Sequence, residues 1–197
     1  MSQSQLNVLA VIGSLHRASA SKAIVRLAAT HLETAGVRVD VLDFETEPLP
    51  LFNPDTSYTA PGYAALKARV EAADVILIGT PDYHGSLSSA TKNFLDHFWR
   101  EFAGKLFVSL VASYEKGLTV TDQLRTVARQ CYAWSLPYGV SFVEGQDFKN
   151  GEIINAAFQA RFDMCLRDTR VYGQLLAAQR RADLAATDPC FLAKLRP

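Results

Sequence analysis

Apolar residues run almost unbroken from Leu6 to Ile12 and stop at Gly13, the pattern of a strand buried on both faces of a parallel sheet. Helical spacing takes over in residues 21–35, where Ile24, Leu27, Ala28 and Leu32 recur on one face and Gly36 ends the run. Residues 37–44 alternate Val37, Val39 and Val41 with Arg38 and Asp40, which predicts a second strand. Pro48, Pro50, Pro54 and Pro61 then rule out regular structure and predict a long surface loop, expected to shape a pocket rim. A second helix is predicted over residues 63–73, with Leu66 and Val70 on one face. Asp74-Val75-Ile76-Leu77-Ile78-Gly79 is the clearest buried strand. After it come a loop over 80–88, a helix over 89–98, a strand over 105–112, a helix over 118–132 and a strand over 138–143. Residues 152–185 read as helical, with Gly173 as the place for a break, and the tail from Thr187 reads as irregular. There is no internal repeat and no low-complexity segment.

Strands alternating with helices imply βαβ units, hence a parallel sheet covered by helices on both faces. The pattern fits a three-layer flavodoxin-like α/β fold with a five-stranded parallel sheet of expected order 2-1-3-4-5. In that order ligands sit outside the carboxyl ends of the strands, near the switch between the first and third. Three loops are thereby singled out: those after Ile12, Gly79 and Ala112. A length of 197 residues suits one well-packed domain better than two, so residues 1–197 are expected to form a single unit.

Charge removes some function classes. Twenty basic and twenty acidic side chains cancel, so no overall field favours a polyanion and a nucleic-acid partner is not expected. No apolar run approaches the ~20 residues needed to span a bilayer, so no membrane association is expected. Residues 1–5 carry no basic charge and the apolar run behind them is short, so it is expected to be a strand and not a signal peptide. Cys131, Cys165 and Cys190 form no CxxC pair and are expected to be reduced thiols of a cytoplasmic protein.

The first loop, Gly13-Ser14-Leu15-His16-Arg17-Ala18-Ser19-Ala20-Ser21, leaves a strand and opens a helix. A helix start offers unpaired N–H groups and the positive end of the macrodipole. Three serine hydroxyls and an arginine add donors, and the set suits a terminal phosphate. Singly, Ser19 or Ser21 reads as well as a helix N-cap, and Arg17 as a solvated loop residue. Neither GxxxxGK[ST] nor GxGxxG is present. The second loop contains Pro81-Asp82-Tyr83-His84-Gly85-Ser86. Pro81 fixes φ, Gly85 permits a turn and Tyr83 offers a flat face, a combination that can hold a planar heterocycle. Ser88 or Ser89 can cap the helix that follows. His84 has no partners at metal-ligand spacing, since Asp82, Asp96 and His97 compose no known metal site. Ser86 stands outside any GxSxG elbow.

The first loop resembles the flavin-phosphate loop of the NADPH-dependent FMN reductase family, and Pro81 to Ser86 followed by Lys92-Asn93-Phe94-Leu95-Asp96 is similar to that family's second signature. The resemblance extends over residues 6–143. It implies FMN as cofactor, with phosphate contacts from Ser14, Ser19 and Ser21 and help from the loop residues His16, Arg17 and Ala20. It implies ring contacts from Pro81, Asp82, Tyr83, His84 and Gly85, with Ser113 at the ring edge. NADPH or NADH would donate hydride, and a small acceptor would take the electrons: a flavin, a quinone, an azo compound or a metal oxyanion. The cofactor carries such chemistry, so no residue is expected to be catalytic in the covalent sense. A homodimer or homotetramer is also implied, and Phe94, Phe98, Trp99 and Phe102 can serve either the core or an interface. Two departures stand out. His16 occupies the position where the family usually has arginine, with Arg17 next, which shifts the arginine role by one or weakens phosphate affinity. The loop over residues 112–117 has one glycine where relatives often have several. Two other readings are a flavodoxin-type electron carrier, against which zero net charge argues, and a binding protein of the same fold without reductase activity.

Overall fold

The computed structural model describes residues 5–196, so the N-terminal reading at residues 1–4 lies outside them. In chain order the elements are β1 (Asn7–Ile12), α1 (Ala20–Thr34), β2 (Arg38–Asp43), α2 (Tyr63–Ala72), β3 (Val75–Tyr83) and β4 (Ser86–Leu87). They continue with α3 (Ser89–Asp96), β5 (Leu106–Ala112), α4 (Leu118–Gln130), β6 (Trp134–Ser135) and β7 (Val140–Phe142). A small hairpin, β8 (Phe148–Lys149) with β9 (Glu152–Ile153), precedes α5 (Ala156–Ala185).

The sheet runs β2-β1-β3-β5, and both β6 and β7 then pair with β5. The pairings β1–β2, β1–β3 and β3–β5 are parallel, as are those of β6 and β7. This is the flavodoxin-like order 2-1-3-4-5 with its fifth strand in two pieces. Phe107 pairs with Ser135 and Leu110 with Val140, so four residues on one side face two on the other. Pro137 sits in that excess and has no N–H to give the ladder.

Alternation along the strands divides the core into two layers. Val8, Ala10 and Ile12 pack with Ile24, Ala28 and Leu32 of α1 and with Phe158 and Phe162 of α5. Their neighbours Leu9 and Val11 point the other way, to Val70 of α2, Phe94 of α3 and Leu124 of α4. Phe94, Phe98 and Phe102 are buried in this second layer, whereas Trp99 is half exposed with the Arg100 guanidinium 5.4 Å from its ring.

The last helix begins at Ala156, later than the patterning predicts, because residues 148–153 turn back as the β8–β9 hairpin. It also runs unbroken through Gly173. A Cβ there would come within 2.8 Å of Val75, so this glycine serves close helix–sheet packing and not a break. Tyr138 donates to Asp168 at 2.7 Å and carries the Arg161 guanidinium 4.5 Å over its ring, which ties α5 to the chain entering β7.

Candidate functional site

The first and second loops meet at a polar junction. The Gly13 N–H donates to the Gly79 carbonyl at 2.8 Å, where β1 and β3 end side by side. Ser88, the N-cap of α3, donates its hydroxyl to the Gly13 carbonyl and accepts the Thr91 N–H at 3.1 Å. Thr91 comes so close that a Cβ on Gly13 would lie 1.9 Å from its Oγ1. Gly13 is therefore required for space, which lets α3 brace the start of the first loop.

Beyond Gly13 the chain reaches α1 with Ser19 as its N-cap, the Ser19 Oγ accepting the Lys22 N–H at 3.4 Å and meeting Ser21 Oγ at 2.7 Å. Among the described residues the Ala20 and Ser21 N–H groups meet no acceptor and are the open donors of the first helical turn. Ser14 is buried and accepts the His16 N–H at 3.2 Å. Just behind, Lys22 lies 3.1 Å from Asp43 and 2.9 Å from Glu45. Burial opposes the charge on Lys22, but the bonds from Glu45 and Asp43 outweigh it and raise its pKa. Arg17 points to one of these carboxylates, 3.4 Å from Glu45, with its side chain 91% exposed.

In the second loop, β3 continues through Pro81 to Tyr83 and turns back on itself as the two-residue β4, which patterning alone takes for loop. The reversal is made at His84 and Gly85, both with left-handed φ, +59° and +76°. Asp82 stabilises it by accepting the Gly85 N–H at 2.8 Å, and accepts the Ser113 hydroxyl from the third loop at 2.9 Å. Gln123 of α4 clamps the same turn: its Oε1 accepts from Ser86 at 3.0 Å and its Nε2 donates to the Gly85 carbonyl at 3.2 Å.

The three loops enclose one cleft of about 270 Å³. Of the residues singled out in the sequence, Ser14, His16, Ser19, Ala20 and Ser21 line it from the first loop, Pro81, Asp82 and Tyr83 from the second, and Ser113 from the third. Arg17, His84 and Gly85 are not on its wall. Ala18, Ala112, Tyr114 and Glu144 are; Ala112 and Tyr114 neighbour Ser113 in the third loop, while Ala18 and Glu144 are not among the contacts that the resemblance implies. A usable signal exists for Ala112, Tyr114 and Glu144, since Ala112 ends β5 and the other two follow the carboxyl ends of β5 and β7. Gln123 carried no such signal. No residue of the proline-rich segment borders this cleft; Pro48, Pro50 and Pro61 line a separate one with α2. That segment is pinned by Asn93, whose Oδ1 accepts the Phe52 N–H at 2.7 Å and whose Nδ2 donates to Leu49 and Pro50 carbonyls.

Comparison with known proteins gives this cleft a context. The profile of the family described as NADPH-dependent FMN reductase matches residues 6–147. The chain belongs to that family. This FMN reductase family is one of flavin-dependent NAD(P)H oxidoreductases, and its match spans all three loops. Among its relatives is the FMN-dependent NADPH-azoreductase of Staphylococcus aureus, 28% identical over 152 residues that cover 72% of this chain and 79% of the relative. The structure of an NADH:FMN oxidoreductase (EMOB) in its apo form superposes with a TM-score of 0.69 at 17% identity, covering 87% of this chain and 89% of that one. A flavodoxin from the domain Archaea does so at 0.58 and 13% identity, over 89% of this chain and 99% of its own, which speaks to the fold alone.

The residues present fit the cofactor of FMN reductases. Ser14, Ser19 and Ser21 line the cleft together with the N-terminal turn of α1, a donor set suited to a phosphate monoester. The flat face of Tyr83 and the hydrogen-bonded Asp82–Ser113 bridge lie in the same cleft and suit a planar ring. Among the described residues no group of His, Cys, Asp and Glu side chains could hold a metal ion, and no helix is long and apolar enough to cross a membrane.

Proposed function

We propose that this chain is an FMN-dependent reductase that passes electrons from NADPH or NADH to a small acceptor such as a flavin, quinone, azo compound or metal oxyanion. The observation that carries this reading is the shared cleft: the hydroxyl and N–H donors at the start of α1 face the same space as Pro81, Asp82, Tyr83 and Ser113. Bound there, FMN would accept hydride and hand the electrons on. Ser14, Ser19 and Ser21, with the first turn of α1, would hold the phosphate. No lysine or arginine lines the cleft among the described residues, so hydroxyls, amides and the helix dipole would do most of this work, with His16 beside them. Pro81, Asp82, Tyr83, His84 and Gly85 would position the ring, the Asp82 bridge and the Gln123 clamp keeping their loop in place. The chain is proposed to act in the cytoplasm as a single domain within a homodimer or homotetramer, with half-exposed Trp99 as a candidate for the interface.

The test is an absorbance scan of purified protein mixed with FMN and desalted, followed by NADPH or NADH without oxygen. A retained flavin band that bleaches supports the reductase. A retained band that stays oxidised points to an electron carrier, and no retained band to a binding protein that does without flavin.

A further inference from the structure

Glu144 stands two residues beyond the end of β7 and lines the cleft together with Ser113 and Tyr114. Its position is held by its backbone surroundings. The Gly145 N–H donates to the Phe148 carbonyl at 2.8 Å, and Asp147 accepts the Val143 N–H at 2.9 Å and the Asn155 amide at 2.8 Å. The Glu144 side chain is exposed and makes no hydrogen bond or ion pair among the described residues. The other carboxylate on the wall, Asp82, is engaged by Gly85 and Ser113. Arg17, which could have offset these charges, is turned to Glu45.

We propose that Glu144 makes the cleft discriminate against anionic electron acceptors, so that the acceptor is an uncharged or cationic ring, such as a quinone, and not a metal oxyanion or a sulfonated dye. This rests on the reading of the cleft as an FMN-dependent reductase site. FMN held there would supply the two-electron chemistry: a quinone would take up a hydride from reduced flavin and a proton from the flavin or water, becoming a hydroquinone as the flavin is reoxidised. Glu144 makes and breaks no bond; it acts on the charge of the incoming molecule. An anion brought within about 8 Å of an unpaired carboxylate in a half-open cleft is disfavoured roughly three- to ten-fold.

Two ligands of one shape and different charge test this: 2-naphthol and naphthalene-2-sulfonate, titrated into FMN-loaded protein and followed by perturbation of the flavin absorbance. Glu144→Gln is expected to tighten the sulfonate about three- to ten-fold and leave the naphthol within about two-fold. The difference should fade in about 0.5 M salt, where screening acts over less than the reach of the charge. Reoxidation of dithionite-reduced protein by 1,4-naphthoquinone and by its 2-sulfonate should follow the same pattern, and because variant and parent meet the same pair, the quinones' differing potentials cancel. Sulfonate binding that is unchanged, insensitive to salt, or altered together with the naphthol overturns the proposal. A parent protein that leaves desalting without FMN overturns the flavin reading itself and this proposal with it, and is recognised before any naphthalene compound is added.

Discussion

Asp82 accepts the Ser113 hydroxyl at 2.9 Å, so a single carboxylate joins the end of β3 to the loop after β5. Its second oxygen takes the Gly85 N–H at 2.8 Å, and both halves of the proposed ring site therefore depend on one side chain. Asp82→Ala is expected to raise the FMN dissociation constant about ten-fold, the equivalent of one to two hydrogen bonds. Ser113→Ala should cost less, because the turn keeps its Gly85 bond. Fluorescence titration with FMN measures both, and equal affinity in all three proteins would show that the bridge does not position the ring.

Arg17 lies 3.4 Å from Glu45 and off the cleft wall, although it sits in the first loop. Removing the charge from Glu45 should release it while Lys22 keeps Asp43 as its partner at 3.1 Å. Glu45→Gln is therefore expected to tighten FMN binding about three-fold, and more at low ionic strength than at high. Unchanged affinity at low salt would show that Arg17 does not reach the phosphate even when free.

The absent side chain of Gly13 lets Thr91 approach. Gly13→Ala would place a methyl 1.9 Å from Thr91 Oγ1 and 3.0 Å from the Gly79 carbonyl. It should destabilise the fold by about 1–3 kcal/mol and loosen FMN retention with it. Adding Thr91→Ala should restore part of the loss, the backbone contact remaining. A thermal melt of the two variants against the parent decides; an additive loss would mean that the clash is not with Thr91.

Lys105 is buried beneath the end of α2, where its ammonium donates to the backbone carbonyls of Val70 and Ala73 and, at 2.8 Å, to that of Glu71. These carbonyls are the unpaired acceptors of a helix C-terminus. Burial, and then the Arg180 guanidinium, nonetheless push its pKa from 10.5 down to about 7. The folded chain therefore holds fewer protons than the unfolded one between about pH 7 and pH 10.5. Stability should rise with pH across that window, by at most about 1.4 kcal/mol per unit from this group, with its full cost present below pH 7. Urea denaturation at pH 7 to 9 should show a steeper rise for the parent than for Lys105→Met. Parallel pH profiles would show that Lys105 keeps its ordinary pKa when folded.

Much of this architecture is legible in the residues because the strands are buried on both faces. Continuous apolar runs ending at Gly13, Gly79 and Ala112 announce where the ligand loops begin, and along the same runs successive side chains enter opposite core layers. Two-residue strands such as β4 and β6 are too short to display a period and stay hidden. Gln123 is equally silent, since its clamp on Ser86 spans 37 residues of sequence. The Lys92 to Asp96 signature reads as a family mark, yet its residues face away from the cleft: Asn93 holds the proline-rich segment, Phe94 and Leu95 fill the core, and Lys92 pairs with Asp96. The proline-rich segment itself belongs to another cleft because Asn93 anchors it beside α2.

The division of the last strand into β6 and β7 has an effect at the molecule's border. A full-length edge strand would present an unbroken row of unpaired N–H and C=O groups, a template on which another chain could crystallise its own strand. Here that row is cut after two residues, interrupted at Pro137 and resumed for only three. The chain is thereby protected against fibre-like growth on that side, and any self-assembly would have to use side-chain surfaces instead of extending the sheet.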